Sequence, residues 1–216
     1  RYWNPRGLCC RNGNFSIIGQ IIMEHSKILK DNLTQSIEAK TFALNDLNFL
    51  DQFELAAIKL VDCYKNGNKI IVAGNGGSAA DAQHMVAEFV SKLARDRAPL
   101  PAEALTVDTS IITAIGNDYG YDKIFSRQIM AKAIKGDVFL AISTSGNSVN
   151  IVNALIACKE KNIGTILLSG HHGGKAAEYA DVTILANGSR TSVIQELHLV
   201  IEHSLCEIVE RSLFGE

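Results

Sequence analysis

The chain has 216 residues, enough for one domain or two small ones, with 47% hydrophobic and 20% charged residues and a formal charge of −2. No basic stripe or long Lys/Arg run is present, which argues against a nucleic-acid or anionic-membrane partner, although a pocket for one phosphate needs only a few groups. No apolar run approaches the roughly 20 residues of a membrane span, and Cys9, Cys10, Cys63, Cys158 and Cys206 are scattered without a CxxC pair, as in a reducing compartment.

Residues 1–22 show no sustained period and lack the long apolar centre and small-residue cleavage site of a signal peptide. Met23, followed by a helical pattern, reads as the more natural start. Residues 1–22 are therefore taken as an extension without assigned function, and 23–216 as one domain. From Glu24 to Asn66 apolar residues recur at three- and four-residue steps (Ile28, Leu29, Leu33, Ile37; Phe53, Ala57, Leu60, Val61, Tyr64). That predicts two amphipathic helices, broken near Asp46–Asp51 and ended by Asn66-Gly67-Asn68.

Strands and helices then alternate. Predicted strands are Lys69–Ala73, Ala104–Val107, Asp137–Ile142, Gly164–Leu168 and Asp181–Leu185. Predicted helices run from Ala79 to about Leu93, from Ser110, from Tyr121, from Ser148 to Lys161 and from about Ser192 to Leu213, with a short helix after Gly174. This order predicts an α/β fold: a parallel sheet covered by helices on both faces, with ligands beyond the carboxyl ends of the strands. There is no internal repeat, low-complexity segment or obvious linker.

Two loops at those strand ends suit an anionic ligand. Ser143-Thr144-Ser145-Gly146-Asn147-Ser148 joins a strand to a helix, offering hydroxyl donors beside unpaired N–H groups and a partial positive charge. That makes a phosphate cradle without Lys or Arg, beyond what an ordinary N-cap needs. Gly74-Asn75-Gly76-Gly77-Ser78 is neither a Walker loop nor a GxGxxG fingerprint. Its glycines permit close backbone approach, and Asn75 and Ser78 offer polar contacts.

On the helix that follows, His84 and Glu88 are four apart and share a face, as a divalent-metal pair or as a surface ion pair. The last helix carries Gln195, His198, Glu202 and His203 among apolar residues, and spacing alone does not choose between His198 and His203. Gln195 and His203 stand about 12 Å apart along a straight helix, so a shared metal requires a kink, long side chains or a second subunit. His171 and His172 are read as solvent-facing.

The run Gly74–His84 with Ala87-Glu88 resembles the signature of bacterial phosphoheptose isomerases of the sugar isomerase (SIS) superfamily. Ala114–Tyr121, Ile142–Ser148 and Ile194–His198 match in the family's order, over Glu24 to Phe214. The resemblance implies a five-stranded parallel sheet in a flavodoxin/Rossmann-like three-layer arrangement, with the N-terminal helices packing in a cytoplasmic homotetramer whose sites lie between subunits. It implies isomerisation of sedoheptulose 7-phosphate to D-glycero-D-manno-heptose 7-phosphate for lipopolysaccharide or capsule. By motif position it implies one zinc ion (Zn2+) held by His84, Glu88, Gln195 and His203, with Glu88 as base and His203 as acid. It also implies substrate contacts from Asn75, Gly76, Gly77, Ser78, Glu88, Asn117, Asp118, Ser143, Thr144, Ser145, Ser148 and Gln195. A carboxylate on zinc is a weaker base, so Glu88 would serve one role at a time.

The chain departs from the family where an Arg is replaced by Val193, and where Ala186–Arg190 lacks a Pro-Ser pair. Arg190 is the nearby charge that could replace the lost one. The alternative reading is a non-enzymatic relative of the DnaA initiator-associating type. That group lacks the acidic residue at the Glu88 position and the His at the His203 position, and both are present here.

Overall fold

In the computed structural model, residues 15–215 are described, with side chains from Glu24 onward. The predicted extension thus lies outside the described residues from 1 to 14, while residues 15–22 are the opening turns of helix α1 (Phe15–Asn45). Asp46 then breaks the chain once. Its carboxylate accepts from the Asn48 and Phe49 N–H groups at 3.0 and 3.2 Å and caps α2 (Leu47–Lys65), so the break predicted near Asp46–Asp51 shrinks to one residue.

The following elements are β1 (Ile70–Gly74), α3 (Gly77–Val90), β2 (Ala102–Ala104), α4 (Thr109–Tyr119), a 3-10 turn (Tyr121–Lys123), α5 (Ser126–Lys132) and β3 (Val138–Ser143). Then come α6 (Val149–Lys161), β4 (Gly164–Gly170), a 3-10 turn (Gly174–Glu178), β5 (Val182–Ala186) and α7 (Thr191–Phe214). The strands form one parallel sheet in the order β2-β1-β3-β4-β5. Alternation along each strand splits the core. Val72, Leu140, Ile142 and Leu168 face Leu60, Met85, Phe89, Ile201 and Leu205 of α2, α3 and α7. Ile71, Phe139 and Leu167 face Ile129 and Leu155 of α5 and α6.

Two element ends differ from the sequence reading by about three residues, each for a visible reason. The second strand ends at Ala104 rather than Val107. Leu105 still donates to Val72 O at 2.9 Å, but Thr106 turns toward α3, where its hydroxyl meets Gln83 Nε2 at 3.3 Å, and Val107 is exposed. Helix α3 stops at Val90 rather than near Leu93 because a side chain caps it. Arg97 donates Nη2 to Glu88 O and Nη1 to Phe89 O, both at 2.8 Å, and Nε to Glu210 Oε1 at 2.9 Å. Glu210 in turn accepts from the Leu93 and Ala94 N–H groups.

The order 2-1-3-4-5 has a switch point. From β1 the chain crosses to β2 on one side, while β3 lies on the other. The crevice between the carboxyl ends of β1 and β3 is where such sheets bind ligands.

Candidate active site

Both predicted loops open at that crevice. The β1 loop ends in Gly76 (φ 57°), which starts α3 without a side-chain cap. The β3 loop ends in Ser148, which starts α6 without one either, so the opening N–H groups of that helix stay available. Ser143 is buried and its hydroxyl donates to Ser148 Oγ at 3.3 Å. Ser145 Oγ accepts from Asn147 N–H at 3.1 Å.

The β4 loop buttresses this cradle. Gly170 N–H donates to Thr144 O, and Ala176 N–H donates to Gly146 O at 2.8 Å. Gly146 has φ 63°, and a Cβ there would collide with the Gly173 carbonyl. Gly146→Ala is therefore expected to cost at least ~2 kcal/mol, combining left-handed strain and collision, as read by urea unfolding. His171 (φ 50°) and His172 are exposed in this same loop, as the sequence suggested.

Helices α3 and α7 pack side by side and run in the same direction. Gln195 lies against Gly77 at the start of α3, where a Cβ on Gly77 would strike its carboxamide. Further along, His84 Nε2 lies 3.0 Å from Glu88 Oε1 and 3.5 Å from His203 Nε2. Ligand atoms of these three residues all lie within 4.8 Å of one another, formed by a single chain. This decides between the two histidines. His203 faces His84, whereas His198, about 140° away around the helix, is fully buried. Gln195 stands two turns before His203 on the same unbroken helix, with its carboxamide beside Gly77 at the loop end of α3.

Two imidazole nitrogens and a carboxylate oxygen aimed at one point suit zinc, and three protein ligands leave a position open for substrate. The residues present therefore fit the ion. Glu88 Oε1 faces His84, while its Oε2 has no partner among the described residues, so one carboxylate can serve a ligand role and a proton role through different oxygens.

Behind the trio, α7 turns polar groups inward. His198 and Glu202 are buried; neither Glu202 carboxylate oxygen finds a hydrogen-bond partner, and the His198 ring has only a loose approach to the Ser169 backbone. Burial, reinforced by the charge of Asp81, pushes the Glu202 carboxyl up to about 8. Burial pushes His198 from 6.5 down to about 4, partly offset by the Ser169 backbone. The unfolded chain therefore takes up a His198 proton between pH 6.5 and about 4 that the folded chain refuses, so stability falls as pH falls through that window. Glu202 has the opposite sign, losing its contribution as pH rises toward about 8. In chelator-treated protein, His198→Leu is expected to flatten the acid side of the melting temperature against pH profile relative to the parent, with the Glu202 contribution common to both.

The remaining nominated residues scatter more. Asn117 and Asp118 lie exposed on the last turn of α4, with Asn117 Nδ2 donating to Asp118 Oδ1 at 2.7 Å. Ser78 is buried. Val193, at the departure from the family pattern, is buried, while Arg190 donates to Asn32 on α1. Sequence reasoning missed Arg97, Glu210, Asn150 and Tyr121. Asn150 carried a signal, a carboxamide on the stripe of α6 that also buries Ala154 and Ala157.

Residues 45–170 match the SIS domain family. The phosphoheptose isomerase of Aneurinibacillus thermoaerophilus is 52% identical over 186 residues, covering 86% of this chain and 94% of that protein. The solved phosphoheptose isomerase of Neisseria gonorrhoeae superposes with a TM-score of 0.80 at 41% identity, over 86% of this chain and 98% of that one. The one from Francisella tularensis gives 0.82 at 35% identity, over 87% and 98%. Agreement of this extent in sequence and in fold places the chain in the phosphoheptose isomerase family of SIS-domain proteins.

Proposed function

We propose that this chain interconverts sedoheptulose 7-phosphate and D-glycero-D-manno-heptose 7-phosphate, an aldose–ketose isomerisation feeding heptose biosynthesis for lipopolysaccharide or capsule. The observation that carries the reading is the meeting of His84, Glu88 and His203 on α3 and α7 within 4.8 Å.

The Ser143–Ser148 loop and the α6 N-terminus hold the phosphate, and Asn75, Gly76, Gly77 and Gln195 line the sugar. Glu88 takes the proton from C1, beside the ketose carbonyl, and returns it to C2, passing through an enediol. His203 moves a proton from O1 to O2, so atoms balance with no external reductant. A zinc ion held by His84, Glu88 and His203, with Gln195 the fourth ligand implied by the family motif, would polarise the carbonyl and hydroxyl oxygens.

Assembly belongs to the same reading. On α1, Ile28, Leu29, Leu33 and Ile37 are 54–63% exposed. Between α1, α2 and α7 an apolar groove of about 290 Å³ is lined by Leu44, Phe49, Phe53 and Val200. These faces suit a homotetramer with sites completed between subunits. Replacing Leu33 and Ile37 by Glu is expected to yield smaller species in analytical ultracentrifugation.

Among the described residues no helix is long and apolar enough to cross a membrane. Cys63, Cys158 and Cys206 are buried and free, and burial raises the thiols of Cys63 and Cys158 to about 12. Unreactive thiols of this kind fit the cytoplasm. The test is to incubate purified protein with sedoheptulose 7-phosphate and follow the aldose by mass-resolved chromatography. Turnover abolished by a chelator and restored by zinc is expected, and no turnover in zinc-supplemented buffer would overturn the reading.

A further inference from the structure

Asn75 sits at the carboxyl end of β1 and Asn150 in the first turn of α6, on opposite sides of the crevice between β1 and β3. Their carboxamides bond reciprocally. Asn75 Nδ2 donates to Asn150 Oδ1 at 2.9 Å, and Asn150 Nδ2 donates to Asn75 Oδ1 at 2.8 Å. Tyr121, from the 3-10 turn after α4, donates its hydroxyl to Asn75 Oδ1 at 3.1 Å. Asn150 is only 3% exposed, so a ligand cannot use it as a contact of its own.

A carboxamide has two N–H donors and one oxygen with two lone pairs. On Asn75 the oxygen already receives two donors, and one N–H is spent on Asn150. What remains for a ligand is one N–H. We infer that Asn150 is a positioning residue that, with Tyr121, turns Asn75 into a donor-only contact and ties the β1 loop to the phosphate-loop helix. The inference deepens the isomerase reading and rests on it, since the ligand is the sugar phosphate proposed there. A donor-only amide selects an oxygen that accepts, a carbonyl or phosphate oxygen, over a group that needs an acceptor.

If Asn150 acts only through Asn75, the two residues must be coupled. The experiment is a double-mutant cycle on the zinc-loaded protein with Asn75→Ala, Asn150→Ala and both together. Sedoheptulose 7-phosphate binding is read by calorimetry, and KM and kcat by turnover. Each single change is expected to weaken binding and raise KM by about tenfold, with kcat changed less than threefold. The double variant should bind no worse than Asn75→Ala alone, within a factor of two. Losses that multiply, or an Asn150→Ala variant that binds like the parent, would overturn the inference.

Asn150→Leu, close in volume, repeats the cycle if Asn150→Ala does not fold. Failure of both to fold makes Asn150 a structural residue and ends the proposal. Parent protein that binds the sugar phosphate without turning it over defeats the isomerase reading while the binding cycle still judges Asn150. Turnover with multiplying losses defeats the inference alone, and a parent that neither binds nor turns over defeats both.

Discussion

Glu88→Gln is expected to lower kcat by a factor of hundreds or more, and His203→Gln by a similar factor. Glutamine keeps the volume of Glu88, and its amide oxygen can still face His84, where the carboxylate now sits at 3.0 Å. What it loses is the ability to accept and return a proton. Glutamine at 203 likewise keeps a polar head near His84, which His203 meets at 3.5 Å, but not a group that exchanges protons near neutral pH. Both variants should keep the fold and the assembly, since neither residue is in the core. The measurement is kcat with saturating zinc, beside metal content and sedimentation. Activity within tenfold of the parent in either variant would remove that residue from the proton path. Lost assembly would show a structural role instead.

Arg97→Met should produce the largest change in stability, a loss of about 3 kcal/mol. The Arg97 and Glu210 side chains are each 2% exposed and 2.9 Å apart. Removing the guanidinium strands the carboxylate and leaves the Glu88 and Phe89 carbonyls at the end of α3 without their donor. The loss arises chiefly from the orphaned charge, so Arg97→Met with Glu210→Leu should recover a substantial part of it. Guanidinium unfolding of the parent, single and double variants separates the cases. An Arg97→Met variant within 1 kcal/mol of the parent would show that the pair is solvated, contrary to its burial. Because Nη2 holds the Glu88 carbonyl, the single variant should also weaken zinc binding.

Much of this molecule was legible in the residues, and the unread parts share a cause. Strand and helix order follows from apolar runs alternating with 3.6-residue stripes, and each strand was placed within one or two residues except β2. There the apolar run Ala104–Val107 outlasts the ladder, because burial of Leu105 does not require strand pairing beyond Ala104. The end of α3 was read too late because the stop signal, Arg97 with Glu210, is separated from the helix by a loop and by most of the chain. His84 and Glu88 could be paired from spacing, but His203 could be preferred to His198 only once α7 was oriented on α3. The Asn75–Asn150 pair was invisible for the same reason, since it forms across the sheet.

The interlocked glycines of the β3 and β4 loops carry a consequence for binding. Gly146 and Gly174 approach closely, and the Ala176 N–H to Gly146 O and Gly170 N–H to Thr144 O bonds tie the two loops together. An anion arriving there meets a receptacle already shaped. Little ordering entropy then opposes capture, and affinity for the phosphate end of a ligand comes from preorganisation rather than from loop closure.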